Sequence, residues 1–151
     1  MTFRRSIIVL TLVVAVIATA AGPARAETPA AKRAELRNRM FQLVNRSRVN
    51  HGRHRLHVKW PLNTFALRHT RRMVRRNTVY HSADVWDVVR KWDAHCWGEN
   101  VGMAGTVRRL ERLFMHSPEH RANILSSHFH RIGVGVVRAR GRTWVTLDFY
   151  G

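Results

Sequence analysis

A single cysteine, Cys96, among 151 residues excludes an intramolecular disulfide, and with it the disulfide-stapled scaffolds and the multi-cysteine zinc sites. Carboxylates are scarce too: nine Asp and Glu stand against 27 Lys and Arg. Lysine itself is confined to Lys32, Lys59 and Lys91, so the basic excess is almost wholly arginine. Beyond residue 22 no apolar run approaches the roughly 18 residues of a membrane span, which excludes a multi-pass protein. The His-Glu-x-x-His zinc motif, the Gly-x-Ser-x-Gly elbow and a phosphate-cradling glycine loop are all missing. No paired-carboxylate arrangement is visible, and no repeat or low-complexity tract breaks the chain.

The amino terminus reads as a leader. Arg4 and Arg5 precede the apolar stretch Ile7–Ala21, and Ala24-Arg25-Ala26 supplies small residues for cleavage. This layout predicts a secretory signal peptide over 1–26, cut near Ala26, and hence a secreted, extracellular protein. If it is not cut, Ile7–Gly22 serves as an amino-terminal anchor. Residues 27–38 then hold a polar lead and the start of the first helix, and 39–151 suffice for one domain with its own core.

The arginines are spread rather than gathered; the nearest approach to a cluster is Arg68, Arg71, Arg72, Arg75 and Arg76. A nucleic-acid binder needs a basic stripe with aromatics or a reading motif, so nucleic acid is not an expected partner. Anionic surfaces are: phospholipid headgroups or charged wall polymers, drawn in by long-range field, with peripheral membrane or wall contact. The plainer reading is a surface solvated by arginine.

Helices come first and a hairpin last. Leu36, Met40, Leu43 and Val44 share one helical stripe, stopped near Gly52. Leu56–Trp60 alternates as a short extended piece before Pro61 opens a second helix carrying Leu62, Phe65, Ala66 and Met73, which runs to about Arg76. Val85, Val89 and Trp92 mark a short third helix. Thr106 caps a fourth with Val107, Leu110 and Phe114, and Ser117-Pro118 starts another, so His116 and His120 do not share one helix face. From Ile132 the period becomes two; Arg140-Gly141 turns the chain and Trp144–Phe149 returns. This order predicts an α+β domain with helices packed on an antiparallel sheet.

Chemistry must come from histidines and Glu99. His51, His54 and His57 read as an exposed basic loop, and His69 falls on the apolar stripe of the second helix as a hydrogen-bonded core histidine. His95 adjoins Cys96 without an acid to orient it, so Cys96 reads as a buried, inert thiol rather than a nucleophile. His81, Glu99, His120 and His128 each stand beside a turn or cap signal instead of in a stripe.

Five motifs in order carry a resemblance: Tyr80-His81-Ser82, Gly98-Glu99-Asn100, Ser117-Pro118-Glu119-His120-Arg121-Ala122-Asn123-Ile124-Leu125, Phe129-x-x-Ile132-Gly133-Val134-Gly135 and Trp144-Val145-Thr146. Together they are similar to a bacterial, secreted member of the CAP superfamily (the SCP domain of cysteine-rich secretory, antigen 5 and pathogenesis-related 1 proteins), over roughly Arg39 to Gly151. The resemblance implies a three-layer α-β-α sandwich with a central antiparallel sheet, extra short strands near Trp60 and around Val101, and an open cleft. It implies a cleft of two His and two Glu able to bind zinc or another divalent metal. His81 and Glu99 match the first His and Glu. Ser117 stands where the second Glu is expected, three residues after Phe114 in place of a Trp. The second His is His128, in Ser127-His128-Phe129, or His120, as in many bacterial members. Leu147 replaces a frequent Gln.

On this reading His81, His128 and His120 are the candidate metal ligands, and Glu99, Asn100 and Arg121 complete the cleft. Two imidazoles leave zinc with open positions for water, and a third approaches the three-histidine arrangement of catalytic zinc. The expected function is capture of a divalent metal, of a lipid, sterol or anionic cell-envelope ligand, or of both, without turnover. The alternative is a zinc-dependent hydrolase of peptides or wall components with Glu99 as its catalytic general base; a third is an envelope scaffold.

Overall fold

The computed structural model describes residues 28–151; the expected leader and its cleavage site lie outside the described residues. Thr28, in extended conformation, takes the N–H of Ala31 on its hydroxyl, and Pro29 sets the first turn, so helix α1 (Pro29–Asn50) starts there. The stretch expected as a polar lead is therefore already helical from Pro29 onward. After β1 (His57–Val58) come α2 (Trp60–Arg76), α3 (Val85–Val89) with a 3₁₀ turn over Arg90–Trp92, and β2 (Trp97–Ala104). Helices α4 (Val107–His116) and α5 (Pro118–Leu125) and the hairpin β3 (Arg131–Ala139) and β4 (Arg142–Tyr150) complete the chain. The α4–α5 break falls at Ser117, as its Ser-Pro pair predicts.

The sheet order is β1-β3-β4-β2. The two-residue β1 runs parallel to β3; the other pairings are antiparallel. Arg140 and Gly141 both take positive φ, 52° and 69°, the mirror-image turn that matches strand twist. On one sheet face Ile132, Val134, Val136, Val145, Leu147 and Phe149 pack with Met40 and Val44 of α1, Leu110 and Phe114 of α4 and Ile124 of α5. On the other lies α2: Met73 packs with Val101 and Trp144, and Thr70 Oγ1 donates to Thr146 Oγ1 at 2.9 Å. Leu62 and Phe65 join Val85 and Val89 of α3 there. The result is helix, sheet, helix, as expected.

Two details fix how the layers meet. At Gly135 a side chain would collide with the backbone of Ala66, so α2 rests directly on the β3 backbone. On the opposite side Arg48, 1% exposed, reaches from α1 with no acid as partner. Its Nε donates to His54 O at 2.7 Å, its Nη1 to Ile124 O at 2.7 Å and Ser126 O at 2.8 Å, and its Nη2 to Phe129 O at 3.3 Å. The guanidinium fork thus ties the loop before β1 and the α5–β3 connection to α1, and it supplies the buried carbonyls of Ile124 and Phe129 with a donor. Burial lowers the pKa of Arg48, with the charge of Arg53 adding to the shift. Replacing Arg48 by Met keeps the bulk and removes the donors. Urea unfolding of Arg48→Met is expected to show a loss of about 3 kcal/mol or more; a loss within experimental scatter contradicts the clamp.

Candidate functional site

β2 is an edge strand, and its alternation sends neighbouring residues into different layers. Glu99 and Asp148 are directly opposed between β2 and β4 and so share the α2 face. Asn100 turns the other way, toward α5, where its Nδ2 donates to His120 O at 2.9 Å. Asn123 of α5 donates to Asn100 Oδ1 at 2.9 Å and to Glu99 O at 3.2 Å. Side chains from both helical layers therefore meet around the edge of the sheet at residues 99 and 100.

Glu99 is 5% exposed. Its Oε1 accepts the N–H of Ser82 at 2.8 Å and stands 2.8 Å from His81 Nδ1. A carboxylate at that place selects the His81 tautomer with its proton on Nδ1, leaving Nε2 as a lone-pair donor. The His81 side chain is 64% exposed, so that nitrogen is offered outward. His120 is half-buried; its Nδ1 lies 2.9 Å from Ser117 Oγ and its ring 4.9 Å from that of Phe114. Ser117 sits at the N-cap position of α5 but makes no side-chain cap bond; its hydroxyl serves His120 instead. Burial keeps the His120 imidazole below its ordinary pKa, the charge of His81 lowers it further, and Glu119 opposes both. His81 and His120 are thus close enough to feel each other's charge, and His120 favours the neutral form that a metal or a hydrogen-bond donor requires.

A pair of carboxyl groups, which the sequence reading did not find, lies beneath them. Asp148 is fully buried on β4 beside Glu99. Among the described residues no donor reaches Glu99 Oε2 or either Asp148 oxygen. Burial pushes the Asp148 carboxyl well above the usual carboxylate range, and the charge of Glu99, the hydrogen bond to it and the charge of Asp84 all add to that. Asp148 therefore favours its protonated form, in which its acid proton can be donated to the neighbouring Glu99 carboxyl group. A hint was present in the sequence, an acid flanked by Leu147 and Phe149 in an apolar strand, but its partner follows only from the strand register.

The remaining candidates divide. Asn100 belongs to the network. Arg121 is exposed, and its side chain makes no hydrogen bond to a cleft residue. His128 is exposed in the α5–β3 connection, where its carbonyl faces the half-buried Cys96 Sγ at 3.7 Å; no contact joins it to His81, Glu99 or His120. His69 is the expected core histidine, 0% exposed with Nε2 at 2.8 Å from Tyr80 O. Among the described residues no group of three or more His, Cys, Asp or Glu is placed to hold a metal ion. Of the imidazoles here, His81 and His120 have their Nδ1 atoms at Glu99 and Ser117, so their Nε2 atoms are the nitrogens a metal would use. Next to His81 a recess of about 440 Å³ has Arg72, Arg76, Tyr80 and Asp84 in its wall. The hydroxyl of Ser82, at 2.5 Å, and the charges of Arg72 and Arg68 hold Asp84 below the usual carboxylate range against the opposing effect of burial.

The proton on Asp148 has a thermodynamic consequence. Its folded pKa lies above the unfolded value near 4, so the folded chain holds a proton that the unfolded chain releases. The Asp148 contribution to stability is full below about pH 4 and is lost as pH rises toward the folded pKa, by at most about 1.4 kcal/mol per unit. Asp148→Asn supplies Glu99 with a donor that never titrates. Urea unfolding from pH 4 to 7 should show the variant gaining on the wild type as pH rises; a gap independent of pH contradicts the shared proton.

The family model of the cysteine-rich secretory protein family, CAP, matches residues 41–149. Solved structures share the fold. An extracellular SCP-domain protein of Bacillus anthracis is 22% identical over 85% of this chain and 44% of its own, with a TM-score of 0.70. An outer surface protein of Borrelia burgdorferi is 14% identical over 77% of this chain and 92% of its own, with a TM-score of 0.69. A cysteine-rich secretory protein of Staphylococcus aureus is 20% identical over 81% and 40%, with a TM-score of 0.66. The chain thus spans less than half the length of the B. anthracis and S. aureus proteins. No curated protein matches it. No helix among the described residues is long and apolar enough to cross a membrane. With its two histidines and one carboxylate set around the sheet edge, the chain belongs to the cysteine-rich secretory protein (CAP) family.

Proposed function

We propose that this protein is a secreted binding module: His81 and His120 hold a divalent metal such as zinc, and the hollow captures an anionic or amphiphilic cell-envelope ligand without turning it over. One observation carries this reading. Glu99 is buried with Oε1 taken by His81 and Ser82 and Oε2 facing only Asp148. A general base must reach the proton it removes; this carboxylate is instead spent on orienting an imidazole, as acids behind metal-binding histidines do. The hydrolase reading needs Glu99 as a free base, which this arrangement opposes.

The surroundings support the ligand class. Arg72 and Arg76 lie in the recess beside His81 and favour an anionic group. Trp86 on α3 and Trp97 on β2 remain 40% and 44% exposed on the elements that adjoin His81 and carry Glu99, as suits a lipid or sterol body. A bound cation would supply positive charge for the ligand's head. The leader-like amino terminus and the extracellular or surface descriptions of the B. anthracis and B. burgdorferi proteins support export.

Titration calorimetry with zinc, on wild type and single alanine variants, tests the assignment. His81→Ala and His120→Ala are each expected to weaken binding by about tenfold or more, and His128→Ala to leave it unchanged. Metal-dependent hydrolysis of a peptide or wall substrate, abolished in Glu99→Gln, would overturn the non-enzymatic reading; absence of zinc binding would overturn the metal.

A further inference from the structure

Some arginines of this protein have an evident structural use. Arg48 serves four carbonyls, Arg138 donates to Gly105 O at 2.7 Å, and Arg90 pairs with Asp87 at 3.1 Å. Four others converge on one place without any such use. Arg39 and Arg46 lie seven residues apart on one stripe of α1, with Gln42 and Leu43 between them. Arg55 comes from the loop before β1 and Arg108 from the first turn of α4, and together these six residues line a solvent-open recess of about 380 Å³.

No acid lines this recess. The sole acid of α1, Glu35, is held by Lys32 at 2.7 Å and feels the charge of Arg39 only as the weakest of its influences. The sole acid of α4, Glu111, is buried and accepts the hydroxyl of Ser47 at 2.5 Å. Among the described residues Arg39, Arg46, Arg55 and Arg108 have neither a hydrogen bond nor an ion pair from their guanidinium groups. Like charges brought together raise the free energy of the empty recess, and an anion entering it removes that repulsion. Arginine is the usual base of this chain, and its geometry suits one class of anion. Its planar fork pairs two donors with two oxygens of one phosphate, which a lysine ammonium does not do. Gln42 adds a neutral donor, and Leu43 gives an apolar patch for the carbon side of an ester.

We infer that Arg39, Gln42, Arg46, Arg55 and Arg108 form a phosphate-binding pocket for phosphate esters, separate from the histidine hollow. None of its residues lines the recess beside His81, so it stands or falls independently of the metal. The same phosphate chemistry is presented by an anionic lipid headgroup or by a soluble phosphate compound.

The test uses the full-length chain, in low salt with a chelator to silence the histidine site. Pyrophosphate is titrated into wild type, into Arg46→Gln/Arg108→Gln, and into Arg71→Gln/Arg75→Gln, a control on α2 that loses the same charge. Saturable binding with one site per chain is expected, weakened at least about tenfold in the pocket variant and within about twofold of wild type in the control. Thermal melts monitor folding; the pocket variant, relieved of repulsion, should melt no lower than the control. Vesicles of phosphatidylglycerol in phosphatidylcholine, compared with phosphatidylcholine alone, then separate the sources. Flotation that depends on the pocket arginines assigns a lipid headgroup, and pyrophosphate binding without such flotation assigns a soluble phosphate. Absence of saturable pyrophosphate binding, or an equal loss in both double variants, overturns the pocket and leaves only a general field of positive charge.

Discussion

Glu99 holds a negative charge inside a protein whose surface is overwhelmingly positive, and the site is arranged around keeping that charge where it is. An unpaired buried carboxylate would be neutralised or expelled. Here the N–H of Ser82, the imidazole of His81 and the acid proton of Asp148 all converge on it. His81 and Ser82 come from one loop and Asp148 from β4, so the Glu99 carboxyl group also acts as a register mark. It pins the loop before α3 to the sheet edge and fixes which way the His81 ring faces. A one-residue slip of β2 against β4 would turn Glu99 to the opposite sheet face and away from Asp148, and would leave both polar groups stranded among apolar side chains.

The edge position of β2 explains why the site can draw on two layers. An interior strand is covered on both sides by neighbours, whereas an edge lets side chains from above and below approach each other around it. The cost of an edge is an unpaired backbone that invites further strands. Asn123 covers part of it by donating to Glu99 O, and Asn100 locks the same region to α5 through His120 O. These amides act as structural plugs, and they place the His120 ring near His81. Gly98 lies close beneath this cover: a side chain there would strike the Asn123 amide at 2.7 Å. The Gly98-Glu99-Asn100 triplet is therefore one unit, with space for the cover, charge for His81 and an amide for α5.

Much of this was legible in the sequence because it is local. The helical stripes, the Thr106 cap, the Ser117-Pro118 break and the Arg140-Gly141 turn depend on neighbours a few residues away, and the structure repeats them. β2 was opaque to periodicity because Gly98–Gly102 is buried on both faces, so no alternation marks it; only the family resemblance placed a strand there. Asp148 was opaque for another reason. Pairing of carboxyl groups 49 positions apart is set by strand register, which one sequence does not display. Arg48 shows the limit of composition: among so many arginines nothing singles out the one that is buried. His128 follows from aligning a motif; its carbonyl lies 3.7 Å from Cys96 Sγ, just before β2, and no hydrogen bond among the described residues joins its side chain to His81, Glu99 or His120. His120, reached through the Ser-Pro-x-His pattern, is near enough to His81 for the charge of one to lower the pKa of the other.

Binding and catalysis make different demands on the same residues, and the geometry separates them. For hydrolysis Glu99 would have to leave two donors and a shared proton, each interaction with a charged group being worth about 1.5–3 kcal/mol, before it could take a proton from water. Asp148 is no substitute, since it is fully buried and already protonated. Capture of a ligand asks for none of this. It uses the outward Nε2 of His81, the neutral ring of His120 and the positive wall formed by Arg72 and Arg76, all of which are available with the network intact. With Glu99 committed to His81 and Ser82, the arrangement favours the proposed reading in which that histidine is presented to a ligand chosen by the charge and aromatic surface around it.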